Sequence, residues 1–337
     1  MGRPKSKDEY RRQMAEAFAG VLEEKGLQWR KEWNGGSPAA PHNAVTGACY
    51  RGSNAFWLSL VSMMKGYRDP RWVTMNQIMD RGAKYHPKQK WHLKAGSKAS
   101  YVEYWYPYDL KQGKALTWDQ YRDALAGERA QGEFRLSTRY TPVFNACDVE
   151  GMPEFRAARN QEIGIDELVR AVSAGMGVPI LLDGGDKAYY APYRDEIHLP
   201  EPACFESEYA FNATALHELA HSTGHAARLD RQLTGLFDTG RYAYEELVAE
   251  MCSCFMGFGL QAEAGAAHIE NHKAYVRTWI EAIRERPESL IQAIRDAQRA
   301  ASYMDWKAGR ITDREYEAAE GSSFEVRTGD RDRSEAR

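Results

Sequence analysis

Residues 215–230 (ALHELAHSTGHAARLD) constrain the fold more than any other stretch of the chain. His217 and His221 stand four residues apart, so on a helix both imidazoles project from one face and can share a zinc ion. Glu218 lies between them, where it can act as a general base on a water that the ion activates. The alternative interpretation is a helix whose two histidines fill a core or cap its end.

The residues around this stretch favour a helix. Ser207 or Asn212 can cap its first turn, and Gly224 can end it. The pattern therefore predicts a metal-binding helix, and such a helix needs a third protein ligand from elsewhere in the chain.

Glu246 is the first candidate for that third ligand. It begins a second helix with apolar periodicity about 25 residues further on, and Glu250 follows one turn later. A carboxylate at Glu250 can orient a ligand histidine through its second ring nitrogen. These acids could instead form a solvated helix face, but they lie next to apolar residues. The sequence thus predicts a Zn²⁺ site formed by His217, His221 and Glu246.

Two other residues near the helix are candidate ligands. His225 lies eight residues after His217, whereas sites with a third histidine place it ten residues on, where this chain has Ala227. We therefore expect His225 to support the site as a neighbour rather than as a ligand. Asp230 is a weaker candidate, because its surroundings also fit a loop with local ion pairs.

The charge of the chain is divided unevenly. Residues 1–100 carry 18 basic and 8 acidic side chains, a net charge of +10, and the remaining 237 residues carry a net charge of −13. The first part is therefore suited to an anionic partner. The five cysteines show no paired spacing, the N-terminus does not resemble a signal peptide, and no apolar run is long enough to span a membrane. These features predict a cytoplasmic protein without a membrane partner.

The first 100 residues combine basic and aromatic side chains. Basic groups neutralise phosphates and flat rings stack on unpaired bases, so this mixture predicts binding of single-stranded DNA. A solvated basic face is an equally good interpretation of the lysines. The predicted DNA-binding residues are Lys84, Lys88, Lys90, Trp91, Lys94 and Lys98.

The chain is long enough for two domains, each with its own core, and the pattern of elements predicts an α+β fold. Residues 101–108 predict a strand that ends at Pro107, and residues 111–132 predict an insertion between strands. The expected divisions are residues 1–150, residues 151–306 and a charged, disordered tail at 307–337. A strand ending at residues 195–200 is expected to lie beside the metal helix and to pair with an extended peptide substrate, with His198 packing on its face.

Several segments together give the chain a resemblance to a known family. They are residues 43–54 (NAVTGACYRGSN), 66–74 (GYRDPRWVT), 142–146 (PVFNA), 197–200 (IHLP), 217–225 (HELAHSTGH), 228–229 (RL) and 244–250 (YEELVAE). In this order they resemble the ArdC family of antirestriction proteins, over about residues 8–300. The segment 111–132 is longer than the link usual in that family, and the resemblance does not extend to the tail.

The resemblance implies a single-stranded-DNA-binding domain followed by a zincin-like metallopeptidase domain. It also implies carriage on plasmids, phages or integrative elements and protection of incoming DNA from host restriction. Two alternatives remain open: a zinc endopeptidase recruited by DNA to cut nearby proteins, such as a restriction enzyme, and a single-stranded-DNA-binding protein with a structural metal. A nuclease is disfavoured, because the sequence has no carboxylate cluster suited to paired magnesium ions.

Overall fold

The structure of the protein is a computed structural model. It describes residues 4 and 29 and the following parts of the chain: 6–26, 39–84, 91–127, 129–155, 165–183, 185, 187–205, 207–231, 239–257 and 273–320.

Helices form most of the described chain. The longer ones are α1 (Lys7–Lys25), α2 (Gly52–Lys65), α3 (Met75–Lys84), α4 (Trp118–Ala126), α5 (Ile165–Met176), α6 (Glu208–Ser222), α7 (Thr239–Met256), α8 (Lys273–Glu285) and α9 (Pro287–Lys307). The strands are β1 (His42–Asn43), β2 (Arg71–Val73), β3 (His92–Leu93), β4 (Ser100–Asp109), β5 (Lys114–Ala115), β6 (Phe134–Asn145), β7 (Val149–Glu150), β8 (Ile180–Leu182), β9 (Tyr189–Ala191) and β10 (Glu196–Leu199). Helices and sheets together confirm the predicted α+β class.

The first part of the chain is built on a five-stranded sheet with the order β1-β2-β6-β4-β5. Its longest pairing joins β4 and β6 antiparallel, from Ser100 opposite Val143 to Asp109 opposite Phe134. Residues 110–133 lie between these strands, as predicted, and include α4, whose first turn has a capping box.

The predicted end of β4 at Pro107 is wrong. Pro107 pairs with Leu136 inside the strand, and its carbonyl accepts a hydrogen bond from the Leu116 amide at 2.8 Å. The other neighbour of β4, β5, pairs with it only at Tyr108 and Asp109. Proline is therefore tolerated here because this edge of β4 is sparsely paired and the missing N–H interrupts little.

The second part combines helices with a small sheet. Ser207 caps α6, since its hydroxyl accepts a hydrogen bond from the Ala210 amide at 3.1 Å. Helix α6 packs between α5 and α7 and also contacts β9 and β10. The sheet has the order β8-β10-β9, with β8 parallel and β9 antiparallel to β10.

One hydrophobic core joins the two parts. The same cluster contains Phe18 of α1, Trp57 of α2, Leu219 of α6, Val248 of α7 and Ile294 of α9. Helix α1 packs against α8 and α9, and α2 packs against α9. The expectation of two separate cores is therefore wrong, because the first helices of the chain cover apolar faces of the last ones.

The predicted disordered tail begins too early. Residues 313–320 are helical and contact the second half of α9. Tyr316 stacks on Trp306 with ring centroids 4.5 Å apart, and Glu320 pairs with Arg299 at 2.8 Å. Aromatic stacking and an ion pair hold this segment although it is rich in charge. The prediction for residues 321–337 lies outside the described residues.

The shared core predicts that the chain unfolds as one unit. Phe18 is fully buried and packs edge-on against Trp29 and Phe56, with centroids 5.3 and 5.1 Å apart. We expect Phe18→Ala to lower the free energy of unfolding by about 3–5 kcal/mol, because it leaves a cavity. Calorimetry should show a single transition that moves down in temperature as a whole.

Met64→Ala is the matched control, since Met64 is half exposed and its loss should leave the transition in place. Two separate transitions, with only one moved by Phe18→Ala, would contradict a common core.

Candidate metal centre

Helices α6 and α7 bring three side chains to one point. The Nε2 atoms of His217 and His221 are 3.1 Å apart. The Glu246 carboxylate lies 3.5 Å from the His217 Nε2 and 3.4 Å from the His221 Nε2. Among the described residues, these three form the group whose ligand atoms lie close enough to hold one metal ion.

These spacings fit a single divalent ion. Bonds of about 2.0–2.1 Å to an ion at the centre of a tetrahedron place neighbouring ligand atoms about 3.3–3.4 Å apart. The three observed separations, 3.1, 3.4 and 3.5 Å, lie close to that value. Two imidazoles and one carboxylate also match the protein ligand set of catalytic zinc sites, which leave a fourth position open.

The negative charge around the site also favours binding of a cation. The carboxylates of Glu218, Glu245, Glu246 and Glu250 are all buried within the same group of helices. Arg231 offsets one of these charges through its pair with Glu245. The remaining negative charge is costly to bury unless a cation or protons neutralise it.

The histidines show this electrostatic balance. Burial lowers the pKa of His217, but the carboxylates of Glu250 and Glu246 outweigh it and raise that pKa to about 9. Burial likewise opposes charge on His221, yet Glu245 and Glu246 raise its pKa well above the usual range. Burial raises the pKa of Glu246, but the two histidines hold it below its usual range. Protons and a metal ion thus compete for the same nitrogens.

A second layer of carboxylates faces the outer ring nitrogens. Glu250 Oε2 lies 3.7 Å from His217 Nδ1, in the position predicted for a residue that orients a ligand. Glu245 Oε1 lies 3.4 Å from His221 Nδ1. Glu245 is thus within hydrogen-bond distance of the His221 ring, and Glu250 faces the His217 ring as an ion-pair partner, so both carboxylates favour the orientation in which the Nε2 atoms point to the common centre.

Glu245 and Arg231 were not found from the sequence. Arg231 donates to both oxygens of Glu245, at 2.6 and 3.1 Å, and also to the Ala220 carbonyl at 2.9 Å. The turn after α6 brings Arg231 back to the helix end, where its amide bonds to the Gly224 carbonyl at 3.0 Å. Adjacent glutamates gave a signal for one ligand, but nothing in the local pattern showed that both are buried.

Glu218 lies beside the small sheet. Burial raises the pKa of its carboxyl, and the nearby backbone of Tyr190 in β9 partly opposes that increase. The strand predicted to receive a peptide, β10, pairs on both sides and is the centre of its sheet. That expectation is wrong for β10, and β9 is the strand that runs next to Glu218.

His225, His198 and Asp230 do not belong to the group of three convergent side chains. His225 accepts a hydrogen bond from the Ala227 amide in the turn after α6, at 3.1 Å, and lies near Asp195. Asp230 is exposed and has a left-handed backbone, with φ of 48°. His198 stacks on Tyr189 at 4.6 Å, so it packs on the strand face as predicted.

The predicted DNA-binding residues do not form one described surface. Lys88, Lys90 and the side chain of Lys84 lie outside the described residues. Trp91 is half-buried and packs against the cluster that includes Ile78 and Phe144. The expectation that its ring is exposed is therefore wrong. Lys94 and Lys98 are exposed, and the Lys94 ammonium donates to the Cys147 carbonyl at 2.8 Å.

Comparison with protein families gives the class of the chain. Residues 166–296 match the zincin-like metallopeptidase family, and residues 8–144 match the N-terminal domain of the anti-restriction factor ArdC. The two matched regions are the two halves of the fold. The zincin-like region, residues 166–296, contains α6 and α7. The protein thus has a two-domain α+β architecture, and a zincin-like fold implies a divalent metal.

Known relatives agree with these matches. The chain is 34% identical over 306 residues to the DNA primase TraC of Escherichia coli, covering 88% of this chain and 27% of the primase. It is also similar to the antirestriction protein ArdC of plasmid R388 in its metal-free and Mn(II)-bound crystal structures. Those matches have TM-scores of 0.66 and 0.63 and identities of 28% and 27%, and cover 90% of this chain and 98% and 99% of those chains. The chain is an ArdC-like protein.

The cysteines and the hydropathy of the helices are two general features of the described segments. All five cysteines lie in described segments and are free thiols. No helix of the described segments has both the length and the hydropathy that crossing a bilayer requires.

The second layer predicts the effect of Glu245→Gln. The change keeps the shape of the side chain but removes the charge that faces His221 Nδ1. Outer residues of this kind typically contribute 10- to 100-fold to metal affinity, so we expect a loss of roughly that size for zinc and for manganese. Competition with a fluorescent chelator measures it. Glu208→Gln, at the exposed start of α6, should leave affinity unchanged, and equal affinities for both variants would contradict the role of Glu245.

Proposed function

We propose that the protein is a zinc-dependent peptide hydrolase joined to a part that binds single-stranded DNA. We further propose that it protects the DNA of a mobile element from restriction in a host cytoplasm. The observation that carries the hydrolase is the convergence of His217, His221 and Glu246, with Glu218 buried on the same helix as the two histidines, a helix that contacts β9. Similarity to the ArdC protein of plasmid R388 supports the antirestriction role.

In this proposal His217, His221 and Glu246 hold the ion, and zinc suits a site with two imidazoles and one carboxylate. When bound, the ion supplies Lewis acidity that polarises a carbonyl and lowers the pKa of a water. Glu245 and Glu250 orient the two rings from behind. Arg231 helps to keep Glu245 charged: burial raises the pKa of that carboxyl, but Arg231 and His221 together outweigh burial and lower it.

Glu218 moves the proton in the hydrolysis. Its carboxylate takes a proton from the attacking water and returns it to the amine that leaves when the peptide bond breaks. The buried position of Glu218 raises its pKa and so makes it a stronger base. An extended peptide beside β9 would lie next to this carboxylate, and backbone pairing of that kind binds many sequences.

The substrate we propose is a host protein, such as a restriction enzyme. Binding of single-stranded DNA would then hold the protein where restriction occurs. If DNA recruits the hydrolase, adding single-stranded DNA should increase cleavage of a DNA-bound protein.

A second candidate is a single-stranded-DNA-binding protein whose metal only stabilises the fold. It is favoured by the burial of the site, since the core that holds α6 and α7 also holds α1. Chelation separates the two candidates. A protein that shows no cleavage when metal is bound and that unfolds when the metal is removed would have a structural metal.

We predict that Glu218→Gln removes hydrolysis and keeps the metal. A general base typically contributes 10²- to 10⁴-fold to rate, so cleavage of fluorescein-labelled casein should fall by roughly that factor. Metal content, thermal stability and DNA binding should remain at wild-type values. Survival of unmodified incoming DNA in restricting cells then shows whether hydrolysis is needed for protection.

Glu201→Gln, at an exposed position before α6, is the control and should behave as wild type. A Glu218→Gln protein that retains its metal and cleaves casein at the wild-type rate would remove Glu218 as the base. If wild type and Glu218→Gln protect incoming DNA equally well, protection would depend on DNA binding rather than on hydrolysis.

A further inference from the structure

One face of the β4–β6 pair carries three tyrosines in alternation. Tyr104, Tyr106 and Tyr108 are two residues apart on β4, so their side chains project to the same side of the sheet. Directly opposite on β6, Arg139 pairs with Tyr104 and Arg135 pairs with Tyr108. We call these five residues the tyrosine–arginine face.

The arginines are stacked on the tyrosines. The Arg139 guanidinium lies 4.5 Å from the Tyr104 ring centroid, and the Arg135 guanidinium lies 5.3 Å from the Tyr108 centroid. Both arginines are exposed, and 44% of the surface of Tyr104 is exposed to solvent. Cross-strand pairs of this kind order flat groups at the surface before any ligand arrives.

The opposite face of the same strands is covered. Near the base of the pair, Tyr140 packs against Tyr10 of α1 with centroids 5.0 Å apart. At the far end Phe134 packs against Tyr121 of α4 at 5.1 Å, and the fully buried Asp109 pairs with Arg129. The insertion and α1 thus cover one side of the pair and leave the tyrosine–arginine face turned outward.

We propose that the tyrosine–arginine face is the binding site for single-stranded nucleic acid, an inference that rests on the DNA-binding part of the proposed function. Rings two residues apart on a strand are about 6.6–6.8 Å apart, which allows successive unpaired bases to lie on successive rings. The arginines neutralise phosphates and add their own planar surface for stacking. Aromatic side chains on an open sheet face bind single strands in this way in other folds.

The chemistry selects single strands over duplexes. In a duplex the faces of the bases are stacked on each other, so the rings would have nothing to contact except the ends. The arginines could still contact phosphates, but without the stacking contribution. This surface differs from the lysine segment predicted from the sequence, in which Trp91 is half-buried against a hydrophobic cluster.

The test uses the full-length protein and measures fluorescence anisotropy with labelled dT20, rU20 and a 20-base-pair duplex. The variants are the double changes Tyr104→Ala/Tyr108→Ala, Tyr104→Phe/Tyr108→Phe and Arg135→Ala/Arg139→Ala. Loss of one stacked ring typically weakens binding about 5- to 150-fold, so the alanine double variant should bind at least tenfold more weakly. The phenylalanine variant keeps both rings and should bind like wild type.

The arginine variant should also change the salt dependence. Each phosphate contact on a single strand contributes about 0.7 to the slope of log K against log salt, so loss of two contacts should reduce the slope by about 1.4. Tyr193→Ala, at a fully exposed position in the turn after β9, is the control and should bind normally. Melting temperatures confirm that each variant is folded.

The outcomes separate this inference from the function on which it rests. Loss with alanine and retention with phenylalanine, on dT20, on rU20 or on both, supports the face and identifies the nucleic acid. If wild type binds tightly and the alanine and arginine variants bind equally tightly, the tyrosine–arginine face is not the binding site, and the proposal of DNA binding stands. Equal affinity for duplex and single strand overturns stacking as the mechanism. No binding of any strand by wild type overturns both proposals.

Discussion

Neutralisation of buried charge is the constraint on which the site depends. Helices α6 and α7 place four carboxylates among apolar side chains, and Arg231 balances only one of them through Glu245. The arrangement is stable only if positive charge occupies the point where His217, His221 and Glu246 meet. Metal binding, the orientation of the histidine rings and the packing of the two helices therefore all depend on neutralisation of the same buried carboxylates. A change at Glu245, which does not belong to the convergent group, is expected to act on the metal for this reason.

The shared core explains how the first part of the chain can influence this site. Helix α1 packs on α8 and α9, and α9 in turn packs on α7, which carries Glu246. Salt bridges such as Arg11 to Glu288, at 3.2 Å, add specific contacts across the same junction. Helices of the ArdC-type region thus pack against the zincin-like region, while the tyrosine–arginine face points to solvent.

Local patterns predicted what depends on local geometry. The spacing of His217 and His221 indicated the metal helix, and Glu246 and Glu250 lie where helical periodicity placed them. The pairing of Arg231 with Glu245, behind the His221 ring, depends on the return of the chain after α6. Helical periodicity does not encode that return. Trp91 was assigned to the surface on composition, but composition does not distinguish a stacking ring from a core ring. The tyrosines of β4 were visible in the sequence, yet Arg135 and Arg139 become their neighbours only through the register with β6.

The common core also has a consequence for how such chains can be recombined. A cut near residue 150 would expose the apolar surface of α1 and the surfaces of α8 and α9 that it covers. Gene fusion should therefore transfer the two halves together rather than one by one. The alignment with the TraC primase fits this expectation, because it extends over 306 residues of a much longer protein. We therefore expect the pair of domains to be inherited as one module, because separation at their boundary would leave apolar helix faces uncovered.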